Sequence, residues 1–281
     1  MEEILKILIL GIVEGITEFL PISSTGHLLV TSALLNSEVA SRLGGTFEIF
    51  IQIGAVLAVV FYYRRDLWQQ ARTVHRDRKA QRFWLAILIA AIPAGVAGLL
   101  LRDFIKDNLF TPENSPLVVA LALIVGGVIF LIVEQHLAQR VEDPHPVDPP
   151  EDVMVISLRQ SLWVGIAQTT ALIPGVSRSG ASIVGAMLAG VPRSAATAFS
   201  FYLAIPVLGG ATILDLLLSL DQLEGGDLIY LMLGAFVSGI IAWIAIDWLL
   251  RYVARNNFVI FGYYRIIAGV VILLLIAGDV V

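Results

Sequence analysis

The stretch Gly11-Ile-Val-Glu-Gly-Ile-Thr-Glu-Phe-Leu-Pro-Ile-Ser-Ser-Thr-Gly-His-Leu-Leu-Val30 has a counterpart 154 residues further on, Gly165-Ile-Ala-Gln-Thr-Thr-Ala-Leu-Ile-Pro-Gly-Val-Ser-Arg-Ser-Gly-Ala-Ser-Ile-Val184. Aligned without a gap, Gly11, Ile12, Ser23, Gly26 and Val30 recur as Gly165, Ile166, Ser177, Gly180 and Val184, while Glu14 becomes Gln168 and Thr25 becomes Ser179. At the same offset Phe47 meets Phe201. Both copies are apolar stretches broken in the middle by Pro, Gly, Ser and a charge. Proline and glycine end helices, and irregular backbone at membrane depth persists only where protein or a water-filled cavity satisfies it. The segments Met1 to Asn36 and Leu158 to Val191 therefore read as re-entrant helical hairpins.

Composition dictates the membrane setting. Of 281 residues, 58% are hydrophobic and 15% charged, with a mean hydropathy of +0.86; soluble globular chains carry about 25% charged residues. Too few polar side chains remain to cover a water-facing surface, which excludes an ordinary soluble enzyme. A formal charge of -5, from 18 basic and 23 acidic residues, lacks the basic excess that a phosphate backbone demands, so nucleic acid is not expected as a partner. The chain has no cysteine, which removes disulfides, thiolate metal sites and cysteine nucleophiles. The opening residues MEEILKILILGIVEGITEF are acidic where a secretory signal is basic, and no small-residue cleavage site follows, so the N-terminus is expected to be retained.

Outward from the two hairpins, six stretches approach the roughly 20 residues that cross a hydrocarbon core. They run from Phe47 to Tyr63, Phe83 to Leu101, Leu117 to Val133, Ala195 to Leu218, Leu228 to Leu250 and Phe258 to Ala277. The expected fold is an all-α integral membrane protein, with six transmembrane helices plus the two hairpins as an inverted-topology repeat. It forms a single membrane domain, with repeat one at about residues 1–135, repeat two at about 153–281 and a cytoplasmic linker at about 136–152. Three spans lie between the hairpins, so the second must enter from the side opposite the first. Arg64, Arg65, Arg72, Arg76, Arg78, Lys79 and Arg82 form the densest basic cluster and are expected in the cytoplasm; the first hairpin then dips in from outside. Arg102 and Lys106 dissent from that orientation.

Inverted repeats with broken helices bring the interrupted tips together near the midplane. Here each second half-helix aims its positive end at the shared space, which suits an anion. Glu14 and Glu18, four apart on one helical face, are expensive in an apolar hairpin, and intramembrane acids mark function. They read as proton acceptors or as ligands of a hard cation, Mg2+ or Ca2+, or else as interfacial residues facing water. Ser23, Ser24, Thr25, Gly26 and His27 form the first turn. Its hydroxyls either bind oxyanions, supply a nucleophile with His27 as base, or cap the half-helix. In the second turn, Ser177, Ser179, Gly180 and Ser182 surround Arg178, whose planar guanidinium matches phosphate oxygens. The structural alternative is an ion pair from Arg178 to Glu14 or Glu18. Glu48 and Gln52 read as cavity-lining or as a helix start, Asp247 and Arg251 as an i,i+4 pair, Arg265 as a snorkelling side chain, and Trp68, Trp84, Trp163 and Trp248 as interfacial anchors.

Two function classes fit: phosphoryl chemistry on a lipid-borne phosphate, and secondary transport or flipping of an anionic or phospholipid-type substrate. Acid, hydroxyl and imidazole concentrated in one short segment favour the first. Glu14-Gly-Ile-Thr-Glu18-Phe-Leu-Pro-Ile-Ser-Ser-Thr-Gly-His27 and Pro174-Gly-Val-Ser-Arg-Ser-Gly-Ala-Ser182 together closely resemble the undecaprenyl-diphosphate phosphatase family of bacterial inner membranes. The resemblance extends over the whole chain, including Phe47-Glu-Ile-Phe-Ile-Gln-Ile-Gly54 and Phe199-Ser-Phe-Tyr-Leu-Ala-Ile-Pro206. It implies release of one phosphate from the C55 polyprenyl diphosphate, recycling of the carrier lipid for cell-wall synthesis, and bacitracin resistance; the orientation set by the basic cluster would have the head group enter from the outer face. It further implies that Glu14, Glu18, Ser24, His27 and Arg178 match the family's functional positions and that a divalent cation supports activity. Ser182 stands where the family commonly has Thr, keeping the hydroxyl. A homodimer is left open.

Overall fold

The computed structural model of the chain describes residues 2–43, 45–109, 111, 114–139, 153–219, 226–278 and 280. Most of the expected linker, residues 140–152, and residues 220–225 of a connecting loop lie outside them. Helices are the regular structure of the described residues, with no strand among them. In chain order the helices are α1 (Glu2–Thr17), α2 (Ser24–Leu35), α3 (Glu38–Leu43), α4 (Gly45–Tyr62), α5 (Arg64–Thr73), α6 (Arg78–Leu100), α7 (Arg102–Asn108), α8 (Ser115–Ala138), α9 (Leu158–Thr169), α10 (Arg178–Leu188), α11 (Arg193–Ser219), α12 (Asp227–Val253) and α13 (Val259–Ala277). Helices α4, α6, α8, α11, α12 and α13 are long and apolar enough to cross a membrane and coincide with the six expected spans. Apolar side chains such as Leu100 (80% exposed), Ile229 (69%) and Phe236 (67%) stand on the outside, a surface that only lipid covers favourably. The chain is a multi-pass membrane protein.

Both hairpin segments break where proline and glycine stand. Helix α1 ends at Thr17 before Pro21, and α9, continued by a 3-10 turn over Thr170–Leu172, ends before Pro174 and Gly175. The two breaks share unusual backbone geometry at the 154-residue offset. Ser23 and Ser177, the residues entering α2 and α10, have φ of 72° and 75°; Asn36 and Gly190, which leave them, have φ of 48° and 84°. Positive φ is uncommon for a non-glycine residue, and it recurs at the two matched serines. Packing follows the same correspondence: α1 lies against α12 as α9 lies against α6, and α4 against α11 is a pair that the offset maps onto itself.

Close backbone contact holds these pairs together, as small residues permit in membranes. A Cβ on Gly54 of α4 would stand 1.8 Å from the Ala235 carbonyl oxygen of α12. One on Gly11 would meet the Gly234 carbonyl oxygen at 2.7 Å, and one on its counterpart Gly165 the Ala90 carbonyl oxygen at 2.5 Å.

Several polar residues sit differently from expectation. Glu134, at the end of α8 where a loop was expected to begin, is buried; it pairs with Arg193 of α11 and accepts from the Phe258 amide at 3.0 Å. The arginine-rich connection after the first span contains a helix, α5, on which Arg72 lies 4.6 Å over the Trp68 ring. Trp84 packs edge-on to Phe83 and Tyr202 as part of the core periphery, not as a free interfacial anchor. Arg251 does pair with Asp247, which also accepts from the Tyr62 hydroxyl at 3.3 Å.

Candidate active site

The two breaks meet. Glu18, just after the end of α1, accepts from Arg178 Nη2 at 3.1 Å through Oε1 and from Ser24 Oγ at 2.7 Å through Oε2. Ser24 and Arg178 are the first residues of α2 and α10 and are 154 residues apart, the offset of the sequence match, so matched positions place a hydroxyl and a guanidinium on one carboxylate. Ser179 Oγ donates to the Leu20 carbonyl oxygen at 3.1 Å, tying the second tip to the first. All of Glu14, Glu18, Ser23, Ser24, Ser179 and Ser182 are buried. The ion-pair alternative for Arg178 therefore holds with Glu18.

Behind Arg178 stands a support that sequence reading missed. Its Nη1 donates to the Ser200 carbonyl at 2.9 Å and to Ser200 Oγ at 3.3 Å. Ser182, expected among phosphate ligands, lies 2.7 Å from Ser200 Oγ and also donates to backbone carbonyls of its own helix. It braces the arginine's holder. Ser200 lies in the Phe199 to Pro206 stretch that carried the resemblance, the only signal the sequence offered for it.

The two tips differ in one respect that bears on anions. Ser177 caps α10: its Oγ accepts from the Gly180 amide at 3.1 Å and lies 3.0 Å from Ser179 Oγ. Ser23 stands at the same place before α2 but makes no side-chain cap, and its buried hydroxyl has no protein partner. The first amides of α2 thus keep their unmet donors, and an uncapped helix N-terminus attracts anions. Arg178 Nε and both carboxylate oxygens of Glu14 are likewise buried without a partner. Unpaired buried polar atoms are costly, and these three residues belong to the segments that the Glu18–Arg178 pair joins.

His27 faces elsewhere. Its Nδ1 lies 2.8 Å from the Ser23 carbonyl oxygen, which can only accept, so Nδ1 carries the proton. In the neutral ring Nε2 then accepts from the Tyr264 hydroxyl at 2.6 Å, with the two rings stacked 5.6 Å apart. Ser24 is therefore bonded to Glu18, not to His27. Tyr264 was not foreseen.

Neither was its neighbour. Arg265, expected to snorkel, is fully buried: Nη1 donates to the Pro21 carbonyl at 3.2 Å, and Nη2 faces those of Ala122, Gly175 and Val176 at 3.3, 3.2 and 3.0 Å. It clasps both tips from α13. Among the described residues no group of three or more His, Asp or Glu is arranged to hold a metal, so Glu14 and Glu18 are the acids to test. Mg2+ typically takes one or two carboxylates and completes its shell with water and substrate phosphate. Glu14, whose two carboxylate oxygens are buried without a partner, offers such a ligand.

Comparison with protein families matches residues 7–271 to the model described as bacitracin resistance protein BacA. Among similar curated proteins, an undecaprenyl-diphosphatase of Deinococcus radiodurans is 48% identical over 274 residues, covering 97% of this chain and 95% of that protein. One of Methylobacillus flagellatus is 46% identical, covering 96% and 97%. Another, from Neisseria meningitidis serogroup C, is 45% identical, covering 97% and 95%.

Proposed function

The chain belongs to the bacitracin resistance protein BacA family, and from that premise we propose that it is a polyprenyl-diphosphate phosphatase that converts undecaprenyl diphosphate to the monophosphate plus phosphate. The observation that carries the reading is the uncapped α2 N-terminus with its partnerless Ser23 hydroxyl, in a turn whose neighbour Ser24 shares Glu18 with Arg178. A carrier needs an anion site, but not a hydroxyl already donating to a carboxylate.

The amides of Ser24, Thr25 and Gly26, together with Ser23 Oγ, cradle the terminal phosphate. Arg178 swings part of its fork from Glu18 to a phosphate oxygen and balances charge there as the anhydride bond breaks. Glu18, released, accepts the Ser24 proton while Ser24 Oγ bonds to the terminal phosphorus and the polyprenyl monophosphate leaves. Water then displaces Ser24, which regains its proton from Glu18; phosphate and one proton depart. Ser177 and Ser179 hold the second tip in register. Glu14, with the Glu18 oxygen that does not take the proton, would hold a divalent cation, Mg2+ or Ca2+, which would supply positive charge to offset that of the phosphate and so ease attack by the serine oxygen. His27, hydrogen-bonded to Ser23 and Tyr264, fixes the turn that supplies the amides.

The site opens to the outer face of the bacterial inner membrane, an orientation supported by the basic cluster between Arg64 and Arg82. There it returns carrier lipid to cell-wall synthesis and lowers the pool that bacitracin sequesters. The duplicated turns at Ser23 and Ser177 support an inverted repeat of two re-entrant hairpins. The test is acid quench of purified protein turning over terminally 32P-labelled polyprenyl diphosphate. Label on Ser24, absent in Ser24→Ala, is expected. Label on His27, or full phosphate release by Ser24→Ala, would overturn this nucleophile; substrate crossing sealed liposomes without phosphate release would overturn the enzyme.

A further inference from the structure

Glu134, 3% exposed near the end of α8, serves two other helices at once. Its Oε1 accepts from Arg193 Nε at 2.9 Å and from the Phe258 amide at 3.0 Å, while Oε2 accepts from Arg193 Nε at 3.2 Å and from Arg193 Nη2. Arg193 is the first residue of α11, and Phe258 is the residue that enters α13. One carboxylate thus fastens the starts of both helices. A well-packed apolar pair in place of a buried ion pair is often at least as stable, so stability alone does not account for the arrangement.

What the two helices carry further on supplies a use for it. Seven residues span about 10 Å of helix and nearly two whole turns, so residues i and i+7 share a face. Seven past Arg193 stands Ser200, whose carbonyl and hydroxyl hold Arg178; seven past Phe258 stands Arg265, which clasps both tips. Helix α8 runs alongside this link, with Glu134, Phe130 and Gly126 at four-residue steps on one face. The Phe130 ring lies 5.8 Å from that of Phe258 and 5.8 Å from the Arg265 guanidinium, and a Cβ on Gly126 would stand 2.2 Å from Arg265 Nη2. We propose that Glu134 is a positioning residue for hydrolysis: it fixes the register of α11 against α13 and through them sets the depths of Arg178 and Arg265. The proposal rests on the phosphatase reading for its kinetic test but not for its structural one.

The structural test is amide hydrogen exchange of the whole chain in detergent, read by mass spectrometry without turnover. Glu134→Gln keeps an Oε1 for the Phe258 amide but turns an NH2 toward Arg193. Exchange should therefore rise about tenfold or more over residues 193–200, the worth of a hydrogen bond to a charged group, and stay near wild type over 258–265. Glu134→Ala should raise both stretches, while α4 and α12, which make none of these contacts, stay protected in each variant. Unchanged exchange at both stretches in Glu134→Ala, or a rise spread evenly over all helices, would overturn the clamp. In turnover, Glu134→Gln should lower kcat about tenfold, since a displacement near 1 Å costs up to about 10²-fold, and leave KM within about threefold because the α2 amides are untouched. Arg178→Lys removes the fork that reads Ser200, so adding Glu134→Gln to it should change kcat by less than about threefold; independent sites would instead multiply their losses, and multiplied losses would overturn the proposal. The expected exchange pattern with no phosphate release from wild type would refute the phosphatase reading and leave the clamp standing.

Discussion

Replacing Arg265 by lysine should damage the protein more than replacing it by methionine, although lysine keeps the charge. Arg265 has no exposed surface, its nitrogens meet carbonyls from both tips and α8, and Nε has no partner. A buried cation that meets only carbonyl dipoles and one aromatic ring, that of Phe130 at 5.8 Å, carries a large desolvation cost, which these contacts offset. Methionine removes the cation and leaves carbonyls bare; each bare acceptor costs about 1–3 kcal/mol, and relaxation at the tips recovers part of this. The net loss should be about 1–3 kcal/mol. Lysine keeps the desolvation cost, but one ammonium cannot span from Pro21 to Gly175 and Val176, so the loss resembles a broken buried pair, about 3–5 kcal/mol. Thermal unfolding in detergent, followed by tryptophan fluorescence, should rank wild type above Arg265→Met above Arg265→Lys. Phosphate release should fall at least about tenfold in both, because a displacement near 1 Å at a catalytic tip costs up to about 10²-fold. A lysine variant matching wild type in melting and activity, with a collapsed methionine variant, would refute the forked-clasp reasoning and leave charge alone as the requirement.

Tyr264→Phe keeps the ring on His27 and removes one hydroxyl, so kcat should fall about tenfold, the worth of one hydrogen bond to an oriented imidazole; unchanged steady-state kinetics would remove Tyr264 from the site. Gly54→Ala forces a Cβ to 1.8 Å from the Ala235 carbonyl oxygen and should cost about 3 kcal/mol or more in thermal stability. Gly95→Ala, where a Cβ meets nothing within 4 Å, should instead stabilise α6 by up to about 1 kcal/mol; similar melting shifts in the two would undo the packing account. Chelation with EDTA should abolish phosphate release and added Mg2+ or Ca2+ restore it, with Glu14→Gln needing more cation for half-maximal rate. Full activity in chelator would exclude the cation.

What the sequence revealed depended on how local its signals were. Pro21, Pro174 and Gly175 break helices wherever they stand, so both helix breaks were legible, and so were the six spans, whose length and apolarity need no partner. The pairing of Arg178 with a hairpin acid followed from the scarcity of charge. Other features depend on tertiary contacts. Ser23 and Ser177 are the same residue at the same repeat position, yet one caps its helix and one does not. Arg265 sits far enough into α13 to snorkel by length alone; only the arrival of two tips at that depth turns it inward. Ser24 and His27, three apart, suggested a nucleophile and its base, but Glu18 and Tyr264 from other segments claim them separately.

The contact of Glu18 with Arg178 also bears on biogenesis. The partners are separated by 160 residues, so a ribosome inserting the chain delivers Glu14 and Glu18 into or near the membrane well before their counter-charge exists. Until α10 arrives, those carboxylates must stay hydrated at the interface or protonated, because an ionised acid alone in hydrocarbon is prohibitive. The first hairpin can therefore settle at its final depth only after the second half has been made, and the assembled site becomes a checkpoint on insertion. Chains truncated before Arg178 should keep their acids accessible to water-soluble carbodiimide, and supplying residues 153–281 as a separate polypeptide should bury them.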